Sequence, residues 1–143
     1  RKPYFKTGDV LAIKFDDEYG VCFVSSVDEG PRKIEYHLAC RRLLQNEKPN
    51  IDDFINSEIA CGKQNTSYCL KTDCWFNHKE LGLIIDRFEK IGRVELEDYV
   101  LGILSPASTL DDIYNQITLN KKTSNLKFKD TWELIRGFEV NET

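Results

Sequence analysis

Along the first forty positions the apolar residues recur with a period of two. Asp9-Val10-Leu11-Ala12-Ile13-Lys14-Phe15 reads as a strand with Leu11, Ile13 and Phe15 on one face. Val10 and Ala12 lie on the other face, so both sides of this strand are largely covered. Asp16-Asp17-Glu18-Tyr19-Gly20 has the composition that reverses a chain, and 21–27 returns as a second strand. A further turn at Asp28-Glu29-Gly30-Pro31 leads into 33–40, where Ile34, Tyr36, Leu38 and Cys40 alternate with Lys33, Glu35, His37 and Ala39. The chain therefore opens as an antiparallel meander.

After Lys48-Pro49 the period changes. Asn50 precedes Ile51, Phe54 and Ile55, with Asp53 three residues on, which predicts a short capped helix. The polar stretch 62–67 reads as a loop before a short strand at Tyr68-Cys69-Leu70. Asn77 and Glu80 have capping-box spacing, and Leu81, Ile84, Ile85 and Phe88 form a helical stripe that Gly92 would close. Strand character resumes over 93–104, where Val94 and Leu96 alternate with Glu95 and Glu97, and Ser105-Pro106 ends it. Ser108 with Asp111 opens the clearest helix, with Leu110, Ile113, Tyr114 and Ile117 as its apolar stripe and both Asp111 and Asp112 at its positive end. A basic loop with Lys121, Lys122, Lys127 and Lys129 precedes a closing strand within 131–140. Strands, helix, strands, helix, strand without regular alternation predict an α+β fold on an antiparallel sheet, in a single domain over 1–143.

Composition narrows the class. An apolar fraction of 41% with sixteen aromatics places the chain among globular proteins. The longest apolar run, 99–104, is far short of the roughly 18 residues of a membrane span. No apolar stretch follows the basic first residues as a secretory signal requires. Five cysteines are an odd number in a chain that needs no stapling, so reduced thiols and a cytoplasmic location are expected. The oligomeric state is left open.

Catalytic and metal chemistry find little to work with. His37 and His78 are the only histidines, and neither stands in a recognised hydrolase, nucleotide-binding or zinc-protease motif. His37 reads as an exposed strand residue beside Glu35. Cys61, Cys69, Cys74 and His78 are zinc-ligand types, but they lack a C-x-x-C pair, so packing thiols and no metal or other cofactor are expected. Arg41-Arg42 and the lysine loop are local basic spots, read as solvated, and nucleic acid is not an expected partner. The net charge is -4, yet the segment 94–120 alone holds five acids and no Lys or Arg. Such a segment attracts a basic partner.

The opening Phe5-Lys6-Thr7-Gly8-Asp9-Val10-Leu11-Ala12-Ile13, followed by Tyr19-Gly20-Val21-Cys22-Phe23-Val24, resembles a family of bacterial immunity proteins encoded beside polymorphic toxins, including contact-dependent growth inhibition systems. Phe88-Glu89-Lys90-Ile91-Gly92 is similar to a later element of that family, which implies strand rather than helix there. The resemblance implies a partly barrelled, SH3-like sheet with two or three helices and a role in binding and blocking a cognate toxin. It carries over no catalytic or contact residue. Joined to the charge pattern, it predicts a basic toxin, a nuclease with a phosphate-binding cleft, met by Glu95, Glu97, Asp98, Asp111 and Asp112 with Asp16, Asp17 and Glu18 at the hairpin tip. The competing expectation is an SH3-like adaptor binding a peptide through Tyr4, Phe5, Tyr19, Tyr36 and Trp75. An enzyme would require His37 or His78 in a cleft.

Overall fold

A computed structural model describes residues 2–58, 60–64, 69–95, 103–118 and 139–141. Its centre is β1 (Asp9–Lys14), hydrogen-bonded antiparallel to β2 (Tyr19–Glu29) along one edge and to β6 (Phe88–Glu95) along the other. Beyond β2 lie β3 (Ile34–Cys40), β5 (Cys69–Asn77) and β4 (Cys61–Gln64), and beyond β6 lies β8 (Glu139–Asn141). The strand order is β4-β5-β3-β2-β1-β6-β8, with β7 (Ile103–Pro106) beside β5. β5 and β7 run parallel, so the sheet is mixed rather than wholly antiparallel, and it is open rather than rolled into a barrel. The α+β class stands.

Alternation along the strands builds two cores. Leu11, Ile13, Cys22, Val24, Tyr36, Leu38 and Cys40 face one way, and Val10, Val21, Phe23 and Ala39 face the other. Each face is roofed by helix, which is why neither face of the meander is polar. The first core packs against α2 (His78–Gly82) through Leu81 and α3 (Leu110–Thr118) through Ile113 and Ile117. The second packs against α1 (Ile51–Asn56) through Ile51 and Phe54. Val10, Leu11 and Ile13 are fully buried. Each such side chain contributes about 1.5–3 kcal/mol.

Local chemistry sets the helix starts. Asn50 caps α1 with a reciprocal box, its side chain accepting from Asp53 N and Asp53 accepting from Asn50 N, as its spacing predicts. Asn77 caps α2 through Glu80 N. The box on α3 sits one residue later than the sequence pattern: Thr109 Oγ1 accepts from Asp112 N, and Asp112 accepts from Ser108 N and Thr109 N.

Further readings are corrected. The helix from Asn77 stops at Gly82, a 3₁₀ turn follows at Ile85–Arg87, and Phe88 opens β6. Pairing of 88–93 with β1 outweighs the helical stripe there. The polar stretch from Gly62 begins as strand, since β4 is held to β5 by backbone bonds that need no apolar side chains. The short strand at Cys69 is nine residues long and reaches Asn77. Arg41 is 1% exposed rather than solvated; its Nε donates to Ser57 Oγ at 2.9 Å, its Nη2 donates to Ser57 O, and the guanidinium lies over the Phe54 ring. Arg42 pairs with Glu58. Of the expected strand over 93–104, 93–95 lie in β6 and 103–104 in β7. β7 runs on through Ser105 and Pro106 instead of ending before them, because its backbone pairs with β5 there. Residues 96–102, the lysine loop and most of the closing strand lie outside the described residues.

Gly8 is where the chain enters β1, with φ at 95°, its N–H donating to Val24 O and its carbonyl accepting from Val94 N. A Cβ there would stand 2.4 Å from the Val94 carbonyl oxygen. Gly8→Ala combines left-handed strain with a backbone clash and is expected to lower unfolding free energy by at least about 2 kcal/mol. Urea denaturation of the two proteins checks this.

Candidate functional site

The hairpin tip and the start of α3 come together in space. Phe15, Asp16, Asp17, Glu18, Leu110, Asp111 and Tyr114 line an open hollow of about 280 Å³. Its lining holds four carboxylates and no cation. Phe15 and Tyr114 meet edge to face at 5.1 Å and form an aromatic wall between the two acidic groups. Tyr114 Oη donates to Glu18 at 3.1 Å, tying helix to hairpin, and the Glu18 carboxylate pushes the Tyr114 phenol above its ordinary range. Asp16 is highly exposed, and its one ion pair, to Arg87 at 3.7 Å, is a surface contact of little energetic weight.

Gly20 lets α3 seat this closely. A Cβ on it would stand 2.8 Å from the Phe15 ring and 2.9 Å from Ile117 Cδ1. The end of the Ile117 side chain therefore rests against the hairpin at Gly20, and the acids of both elements share one rim.

Of the eight acids expected to form a face, Asp16, Asp17, Glu18 and Asp111 are brought together here. Asp112 is not among them. It turns back on the helix start, where the backbone N–H groups of Ser108 and Thr109 hold its carboxyl below the usual carboxylate range, and it lines a different hollow with Gln116 and Cys74. Glu95 ends β6 opposite Glu139, while Glu97 and Asp98 lie outside the described residues. Tyr114, Phe15 and Leu110 were not anticipated as site residues. Their signal lay in the pattern only as core positions.

Of the aromatics named for an adaptor groove, Tyr36 is buried, Phe5, Tyr19 and Trp75 are half-buried and Tyr4 is exposed. Tyr36 is fully buried, and its hydroxyl accepts from Tyr4 N at 3.0 Å and lies 2.7 Å from His78 Nδ1. Which of the two donates in the Tyr36–His78 bond is set by the imidazole tautomer. Tyr4 stacks on His78 at 4.2 Å, and Phe5 packs edge-on to Tyr36 and Phe88. Lys14 lies over the Tyr19 ring. Trp75 is half-buried and lines a third hollow with Pro106 and Ala107. His37 is half-buried rather than exposed.

Cys22, Cys40 and Cys74 are buried free thiols. The Cys40 thiol is pushed well up by its hydrogen bond to Cys74 and by burial, and the Cys22 thiol by burial. Such thiols are poor nucleophiles. Among the described residues no three His, Cys, Asp or Glu side chains are gathered to hold a metal ion, and no helix is long and apolar enough to cross a membrane. No protein-family model, curated protein or solved structure was found to match the chain.

Because its folded pKa lies below the unfolded one, Asp112 stabilises the fold above the unfolded value of about 3.9, and that contribution is lost as pH falls through the lower folded value. The stability gap between the parent and Asp112→Asn is expected to stay constant above about pH 5 and to close on acidification. Urea titrations across that range check it.

Proposed function

We propose that the chain is a binding module that acts by occupying a basic surface on another protein, without catalysis of its own. In particular, we propose an immunity protein that neutralises a cognate bacterial toxin by covering the cleft in which the toxin holds phosphates. The observation that carries the reading is the hollow in which Asp16, Asp17, Glu18 and Asp111 meet around the Phe15–Tyr114 wall. Carboxylates spread over a concave rim offer a Lys- or Arg-rich surface the charge that nucleic acid would offer. The aromatic wall supplies apolar and cation–π contact for the stems and heads of such side chains. The likeness of the opening hairpin to immunity proteins supports the same partner class, since the acidic tip is the turn of that hairpin.

Charge acts first on encounter. The triple variant Asp16→Lys, Asp17→Lys, Asp111→Lys is expected to slow association with the toxin encoded by the neighbouring gene by at least about 10-fold at low salt and to abolish growth protection. Stopped-flow association and a co-expression growth assay measure the two effects. Unchanged association and full protection would refute the reading.

A further inference from the structure

Cys22 on β2 and Cys40 at the end of β3 are paired across the sheet, both inside the first core at 0% and 2% exposure. The backbone fixes the kind of pair. Arg41 N donates to Val21 O, so these two residues hold a hydrogen-bonded position, and the next pair along the antiparallel ladder, Cys22 with Cys40, is of the non-hydrogen-bonded kind. The Cys40 carbonyl accordingly points away from β2 and accepts from Ala60 N at 3.1 Å. Partners of this kind stand closest, with Cα atoms about 4.5 Å apart and both side chains on one face. That separation lies inside the range of about 4.4–6.8 Å over which a disulfide closes without moving the backbone. Both thiols are free.

From this placement we infer that Cys22 and Cys40 are a disulfide-forming pair, a modification site that takes a small hydroperoxide as its oxidant. Cys40 is the last residue of β3, and a strand end opens at less free energy than a strand centre. Its sulfur attacks one oxygen of hydrogen peroxide; the O–O bond breaks, one water leaves with the thiol proton, and Cys40 carries a sulfenic acid. The Cys22 sulfur then attacks the Cys40 sulfur, the S–O bond breaks, and a second water leaves with the Cys22 proton. Two thiols lose two electrons, and the peroxide is reduced to two waters. The thiols and the disulfide are all uncharged, which suits an apolar core. Burial disfavours the thiolate that makes the first attack, and this sets the pace of closure at hours. Cys74 is the competing partner. It stands opposite Leu38 and so diagonal to Cys40, and the two thiols are hydrogen-bonded. Diagonal Cα atoms lie about 7–8 Å apart, past the reach of a bridge without backbone movement. Closure therefore turns the Cys40 side chain from Cys74 to Cys22.

The inference rests on β2 and β3 and not on the acidic hollow, so its failure leaves the proposed function untouched. The folded full chain is incubated with hydrogen peroxide over hours, free thiols are alkylated in denaturant, and the unreduced digest is mapped by mass spectrometry. A peptide linking Cys22 to Cys40 is expected, with Cys74 recovered as its alkylated thiol. Tm is expected to rise by about 5–10 °C and to return with dithiothreitol. Cys22→Val is expected to remove the rise, and the map of the parent chain decides if that variant does not fold. The inference is overturned if Cys22 and Cys40 are both recovered alkylated, if Cys40 is linked to Cys74, or if the pairings match those formed when the chain is oxidised in urea.

Discussion

Everything in this fold depends on a central strand that is paired on both edges and covered on both faces. β1 spends its backbone donors and acceptors on β2 and β6, and its side chains are divided between two cores. A strand in that position has no tolerance for a register slip, because a shift of one residue would exchange the two cores. Its entry and its turn are correspondingly constrained. Gly8 approaches the backbone of β6 where no side chain fits, and the hairpin after Lys14 must reverse at once to keep β2 in register.

That tight reversal has a functional consequence. With β1 buried to Ile13 and Phe15 folded inward, the polar turn residues Asp16, Asp17 and Glu18 are forced to the rim of the sheet. α3 reaches the same rim because Gly20 has no side chain to hold it off, and the bond from Tyr114 to Glu18 fixes the two elements together. The first core is therefore also the floor of the acidic hollow. Loosening α3 would disperse the charge without removing any of it.

The meander, α1 and α3 were legible in the sequence because local periodicity and tertiary environment agree there. The stretch from Leu81 to Phe88 was not. Its apolar residues fit one helical stripe, yet they are shared among a single-turn helix, a 3₁₀ turn and a strand, and the pairing partner that decides between them is β1, more than seventy residues earlier. The burial of Arg41 was likewise hidden, since what makes it tolerable is the end of α1 at Ser57 and the Phe54 ring. Both halves of the acidic hollow could be named from composition. Their union could not, because Glu18 and Tyr114 are 96 residues apart in sequence.

The central claim is that a basic partner seats in the hollow shared by the hairpin tip and α3. Hydrogen exchange of the chain alone and in complex with the proposed toxin partner tests it most directly. The account predicts that new protection concentrates in Phe15 to Glu18 and Leu110 to Tyr114. Protection confined to other segments, with these two exchanging as in the free protein, would contradict it.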